Sequence, residues 1–115
     1  MPNLKPIQGA LILALSMAPA CMCKRSFNIG PGGSQVDFQS CPPREVSAAV
    51  SDFETDLGKR PPSPDDSRIR SEAFTLLSRV QRLVDEPSNA RTPSETRQQV
   101  ESALAKLRAL PAAKP

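Results

Sequence analysis

The sequence contains no histidine, tryptophan or tyrosine, and only four phenylalanines. The commonest general base, the commonest metal ligand and the side chain that titrates near neutral pH are therefore all missing. The scarcity of aromatic rings also argues against a surface on which nucleic-acid bases stack. These absences predict a protein that is not an enzyme and that uses no cofactor, no metal and no small-molecule substrate.

A strong net charge is absent as well. The chain carries 15 Lys and Arg against 12 Asp and Glu, and Lys5 is the only charged residue among the first twenty. From residue 21 onward this leaves 14 basic against 12 acidic side chains, a formal balance of +2. The two signs are interleaved and form no basic stripe, so the charge pattern predicts no nucleic-acid partner.

Long hydrophobic runs are missing too. The longest apolar run, residues 9–18, is about ten residues long, whereas a helix that crosses a bilayer needs roughly twenty. The run follows Lys5 and is followed by Ala18 and Ala20, the small-x-small pattern at which exported chains are cut. The sequence therefore predicts that residues 1–20 are an export signal peptide that is removed.

The residue after the predicted cut is a cysteine. The segment Ala18-Pro19-Ala20-Cys21 resembles the lipobox of bacterial lipoproteins, although Ala18 stands where that family usually has Leu and Pro19 is uncommon there. The resemblance implies that Cys21 becomes the fatty-acylated first residue, anchored in the bacterial envelope at the periplasmic face of the outer membrane. The alternative is ordinary cleavage after Ala20, which releases a soluble periplasmic or secreted protein.

The cysteine count is odd, which is awkward in an oxidising compartment because one thiol is left over. Acylation of Cys21 removes the oddness and leaves Cys23 and Cys41 to form a disulfide. Closing a loop of this size contributes about 3 kcal/mol in the chain-entropy model. The competing pairing is Cys21 with Cys41. A zinc site is disfavoured because there is no histidine and no paired C-x-x-C motif.

Residues 21–42 are rich in Gly and Pro, and the run Gly30-Pro31-Gly32-Gly33-Ser34 cannot be helical. Val36 and Phe38 alternate with polar residues, which indicates at most a short strand, and an isolated hairpin is marginal in water. The sequence therefore predicts that residues 21–42 are a disordered, acylated tether.

Three amphipathic helices follow, at about residues 43–57, 64–86 and 93–110. Thr92 and Glu95 have the spacing of a capping box, and Ser63 precedes a Pro-Asp-Asp helix start. The apolar stripes recur at helical steps of three and four. They comprise Val46, Val50, Phe53 and Leu57; Ile69, Ala73, Leu76, Leu77, Val80, Leu83 and Val84; and Val100, Ala103, Leu104, Leu107 and Leu110.

These helices predict an all-α fold: a small three-helix bundle, or a helical hairpin plus a short helix, spanning residues 43–110. The second helix has the broadest stripe and is expected to lie between the other two. Residues 111–115 are expected to form a disordered tail. The predicted core is thin for a chain of this length, which suggests that a disulfide or a partner completes the domain.

The helices also supply the candidate functional residues. Asp65, Asp66 and Glu72 are the only clustered candidates for catalysis or metal binding, and helix capping explains the two aspartates without either role. The sequence therefore predicts no catalytic or metal residues.

The predicted partner surface lies on the second and third helices, where the stripe spacing also suits coiled-coil contacts with another envelope protein or with a second copy of the chain. It comprises Leu76, Val80, Leu83, Leu104 and Leu107. In size, anchor and helical character the chain resembles pilotins of secretion machines and outer-membrane spanin subunits of phages. This general plan implies a lipid-anchored adaptor or scaffold. An exported inhibitor or immunity factor is the alternative.

Overall fold

The computed structural model describes residues 24–86 and 88–112. This part of the chain is mostly helical, with a small two-stranded sheet at its start. The elements in order are β1 (Arg25–Asn28), a 3-10 turn (Pro31–Gly33), β2 (Gln35–Phe38), α1 (Arg44–Gly58), α2 (Asp66–Asp85), α3 (Pro93–Ala109) and a 3-10 helix (Leu110–Ala112). The three predicted helices are confirmed, each within two residues of its expected ends.

Strands β1 and β2 form an antiparallel hairpin in the segment that the sequence predicts to be a tether, so that prediction is wrong for residues 25–38. Gly32 and Gly33 have φ of 66° and 81°, the left-handed region that glycine adopts at no steric cost. The glycines therefore specify a chain reversal rather than disorder. The amide of Gly30 donates to the carbonyl of Ser34 at 3.1 Å and closes the turn.

The hairpin contributes a complete apolar face to the core. Ile29 and Phe38 are 0% and 1% exposed, and the rings of Phe27 and Phe38 meet edge to face at 5.7 Å. Val36 lies opposite Phe27 in the register of the two strands and is also buried. A two-stranded ribbon alone is marginal in water, but this one buries its apolar face against a helix, which explains its stability.

The order of the helices differs from the prediction that the second helix lies in the middle. α3 packs closely against both α1 and α2, whereas the backbones of α1 and α2 are further apart. α2 does have two neighbours, as its broad apolar stripe requires, but they are α3 on one side and strand β2 on the other. The hairpin occupies the place expected for α1.

The core is one continuous cluster drawn from the hairpin and all three helices. Among the described residues it contains no buried polar or charged side chain. Its members are Phe27, Ile29, Val36, Phe38, Val46, Ala49, Phe53, Leu57, Ile69, Ala73, Leu77, Val80, Leu83, Val100, Ala103, Leu104 and Leu107. Pro111 is also buried, so the fold continues to residue 112 where the sequence predicts a tail.

Ion pairs at the rim of the core tie the elements together. The guanidinium of Arg70 lies 2.9 Å from the carboxylate of Glu54 in α1 and donates to the carbonyl of Ile29 at 3.3 Å. Arg108 of α3 pairs with Asp52 of α1 at 3.2 Å. Exposed pairs contribute little stability each, about 0–1 kcal/mol, so their effect is mainly to orient the elements.

Candidate functional sites

The predicted lipidation site, Cys21, lies outside the described residues together with the signal segment and Cys23. Cys41 is disulfide-bonded. Its partner lies outside the described residues, and the sequence contains only two other cysteines, Cys21 and Cys23. The pairing of Cys23 with Cys41 therefore stays a prediction, as does acylation of Cys21.

The polar contacts beside Cys41 are made by Asp85, the last residue of α2. Its two carboxylate oxygens accept hydrogen bonds from the backbone amides of Gln39 at 2.7 Å and Ser40 at 2.9 Å. The side-chain amide of Gln81 donates to the same carboxylate at 2.8 Å. We call this arrangement the Asp85 clamp. It fixes the chain just before Cys41 to the end of α2.

The clamp also sets the protonation behaviour of Asp85. Partial burial acts to raise the pKa of this carboxyl, but the hydrogen bonds from Gln39, Gln81 and Ser40 outweigh burial, so its pKa lies below the ordinary value. Asp85 therefore stays ionised at any neutral or mildly acidic pH. Sequence reasoning missed this residue because its partners lie 45 and 46 positions away.

The start of α3 confirms one of the local signals. The hydroxyl of Thr92 accepts from the amide of Glu95 at 3.1 Å, and the carboxylate of Glu95 accepts from the amide of Thr92 at 2.9 Å. These bonds form the predicted capping box, and the hydrogen bond from the Thr92 amide is the main cause of a lowered pKa for Glu95. Ser63 accepts from the amide of Asp65 at 3.1 Å, but α2 begins later than predicted, with Asp65 at its N-cap position and no side-chain capping bond.

The three acidic residues considered for catalysis make separate contacts in the structure. Asp65 and Glu72 both pair with the guanidinium of Arg68, at 2.7 and 3.0 Å, and the bond from Arg68 lowers the pKa of Asp65. Asp66 instead accepts from the amide of Ser63 at 3.3 Å. Within residues 24–86 and 88–112 no group of three or more His, Cys, Asp or Glu is arranged to hold a metal ion.

Four of the five residues predicted to bind a partner are core residues. Val80 and Leu107 are 0% exposed, Leu104 is 3% and Leu83 is 8% exposed. These side chains fill the space between α2, α3 and the rest of the core, so they present no surface to a partner. Only Leu76 is partly exposed.

Leu76 belongs to a shallow groove of about 560 Å³ between α2 and the end of α3. Leu110 and Ala109 form its other side, and Thr75 and Lys106 lie at its margin. Both leucines pack against the edge of the core while keeping part of their surface open. This groove is the remaining apolar surface of the predicted partner site.

A second groove, lined mostly by polar and basic side chains, lies between the same two helices near their connection. α2 contributes Arg79 and Arg82, the connection contributes Arg91, and α3 contributes Lys106. We call it the basic groove. The basic groove is not evident from the sequence, because its four cations are spread over 28 positions of the chain and come together only when α2 and α3 pack.

No family model, curated protein or solved structure shows significant similarity to this chain. Among the described residues, none of the helices combines the length and the hydropathy that spanning a bilayer would require.

Proposed function

We propose that the protein is a small, non-enzymatic lipoprotein of the bacterial envelope that acts as an adaptor or scaffold through its folded domain. The observation that carries the proposal is the lipobox-like cysteine, Cys21, placed only four residues before the start of β1 at Arg25. In this proposal Cys21 is acylated and holds the domain on a membrane, with the outer membrane as the expected site.

The connection between Cys21 and β1 is short, so an anchor at Cys21 would fix the distance of the domain from the membrane. Four residue steps separate Cys21 from Arg25, and a fully extended chain spans at most about 14 Å over that distance. The sequence predicts a spacer of about twenty residues between the anchor and the folded domain, but β1 begins only four positions after Cys21. An acylated Cys21 would therefore hold the hairpin against the headgroup region instead of letting the domain sample the periplasm.

The disulfide of Cys41 restricts which cysteine can carry the lipid. A thioether-linked lipid and a disulfide cannot both use the sulfur of Cys21, so acylation requires Cys41 to pair with Cys23. The soluble exported protein would carry no lipid, and its Cys21 would be a free thiol or would pair with Cys41. The two proposals thus differ in the state of the Cys21 sulfur.

The test is the intact mass of the protein purified from a bacterial host, followed by mapping of the disulfide in a non-reducing digest. We expect a species that begins at Cys21, carries a diacylglycerol-sized increment and joins Cys23 to Cys41. Cys21→Ser should abolish the increment and leave that disulfide in place. Cys23→Ser is the matched control: it should remove the disulfide and keep the lipid. A species that begins at Cys21 without the added mass would establish the soluble exported form instead, whether Cys21 is free or bonded to Cys41.

The adaptor role is supported by the groove around Leu76 and Leu110. It is small, so the partner would contact the domain through a limited apolar patch together with the surrounding helix surface. The partner in this proposal is another envelope protein. The buried positions Val80, Leu83, Leu104 and Leu107 are no longer part of the proposed surface.

A further inference from the structure

The basic groove concentrates the positive charge of the protein in one place. Arg79 and Arg82 are three residues apart and lie on one face of α2, and Lys106 faces them from α3. With Arg91 there are four cations against a single carboxylate, that of Glu86. The groove thus carries a formal charge of +3, equal to that of the entire 115-residue chain.

None of the groove cations lies within ion-pair distance of a carboxylate in the described chain, as is also true of exposed arginines such as Arg44 and Arg97. Arg68, Arg70 and Arg108 each pair with a carboxylate within 3.2 Å. Within the described part of the chain, the four groove cations form no ion pair and no side-chain hydrogen bond. The Nε of Arg91 is shielded from solvent and still has no acceptor. The Arg91 side chain therefore has hydrogen-bonding capacity that the described part of the protein does not use.

The other lining residues indicate a polar and compact ligand. Gln98, Gln99 and Ser102 from α3 and Ser88 from the connection supply further hydrogen-bond donors. Apolar lining is limited to Leu83 and Ala103, which offer no anchor points for an amphipathic peptide. The groove holds about 680 Å³, a volume within the usual range of about 300–1,000 Å³ for small-ligand sites.

We propose that the basic groove binds a ligand carrying more than one phosphate group, either a soluble phosphorylated compound or the headgroup of a phospholipid. Three of the four cations are arginines, whose planar guanidinium groups donate two parallel hydrogen bonds to phosphate oxygens. Several arginines around one cavity favour several phosphate charges over a single carboxylate. The inference does not depend on acylation of Cys21, because every residue involved lies in α2, α3 and their connection.

The experiment uses the full chain and two probes. Calorimetric titration with inorganic pyrophosphate tests the soluble source, and flotation with phosphatidylcholine vesicles, with and without cardiolipin, tests the headgroup source. The variant R79Q/R82Q removes two groove charges. R44Q/R97Q is the matched control, since it removes the same charge from two exposed arginines outside the groove. All three proteins also carry Cys21→Ser, so that a lipid at Cys21 cannot bring them to neutral vesicles.

We expect the wild type to bind pyrophosphate more tightly than orthophosphate, or to bind cardiolipin vesicles more than neutral ones, with weakening at higher salt. R79Q/R82Q should weaken that binding at least about tenfold, as expected for loss of charge-assisted hydrogen bonds. R44Q/R97Q should change it less than about twofold. The proposal is overturned if neither probe binds, or if the two variants weaken binding equally.

Discussion

The β-hairpin and the three helices reach the same core by different means. Each helix has stabilising interactions within its own segment, such as the reciprocal bonds of Thr92 and Glu95 at the start of α3. The hairpin has strands of only four residues, so besides its strand pairing and a hydrogen bond from Ser26 to Asp37 it depends on contacts with the helices, chiefly the burial of four apolar side chains: Phe27, Ile29, Val36 and Phe38. Removing one stabilising contact should therefore loosen only part of a helix, whereas removing a buried side chain of the hairpin should destabilise the whole hairpin.

The comparison also explains how a chain of this size completes its core. Three short helices alone supply a modest apolar volume, and α2 has more apolar surface than α3 can cover. The hairpin covers the remaining side of α2 and adds two of the most deeply buried large side chains, Ile29 and Phe38. The partner surface inferred from a thin helical core is, in large part, supplied by the chain itself.

The largest effect should come from Phe38→Ala. Phe38 is 1% exposed, so truncation leaves a cavity and should lower the free energy of unfolding by about 3–5 kcal/mol. Leu77→Ala, in the helical half of the same core, should cost about 2–5 kcal/mol. Urea denaturation followed by circular dichroism measures both. If Phe38→Ala stays within about 0.5 kcal/mol of the wild type while Leu77→Ala is destabilised, the hairpin is not part of the cooperative unit.

A smaller effect is expected where the hairpin turn meets α2. Gly30 has ordinary extended dihedral angles, but an added Cβ would lie 2.7 Å from the Cβ of Ser34 and 2.9 Å from Cδ1 of Phe74. Gly30→Ala should therefore destabilise the protein by about 1–3 kcal/mol through overpacking.

Gly58→Ala, at the end of α1, is the matched control, since nothing lies within 4 Å of its added Cβ. It should be neutral or stabilising by up to about 1 kcal/mol, because alanine favours the helix. Urea denaturation followed by circular dichroism measures both variants. Equal effects at the two positions would contradict a close approach of the turn to α2.

The smallest of the three effects concerns the Asp85 clamp, with an expected cost of about 1–2 kcal/mol for Asp85→Asn. The folded-state pKa of Asp85 lies below the unfolded one, which is about 3.9. Its ionised form therefore stabilises the fold fully above that unfolded pKa, and this stabilisation is lost as pH falls towards the folded pKa. The difference between wild type and Asp85→Asn should stay constant from about pH 5 to 7 and shrink below about pH 4.

Glu101→Gln is the control for this measurement, because Glu101 is exposed on α3 and makes no hydrogen bond or ion pair within the described part of the chain. Its stability should follow that of the wild type across the whole pH range. Denaturant titrations at several pH values provide the comparison. A pH-independent difference for Asp85→Asn would mean that the charge of Asp85 is not what holds Gln39 and Ser40.

Local sequence signals located the helices because their determinants are close together in the chain. The capping box of Thr92, the prolines at helix ends and the spacing of apolar residues all act within a few positions. The hairpin was mistaken for a tether because Gly32 and Gly33 are equally typical of a turn and of disorder. The turn is favoured over disorder because the hairpin packs against α2, which comes later in the chain.

The candidate sites divide in the same way. Cys21 is predicted from adjacent residues and lies outside the described part of the chain, whereas the Asp85 clamp and the basic groove arise only from packing. Val80, Leu83, Leu104 and Leu107 were assigned to a partner because an apolar stripe looks the same whether it faces another protein or its own core. Only the packing of the three helices shows which apolar side chains are buried in the core.

The bonds from Gln39 and Ser40 to Asp85 have a consequence for the order of folding. The hairpin is synthesised before the helices. The helix that covers its apolar face, and the carboxylate that binds the chain just after β2, come about 45 residues later. A two-stranded ribbon is unstable without that cover, and closing a loop of this length slows its assembly. Among the described elements, the hairpin is thus made before the helices but is expected to be the last to reach its native structure.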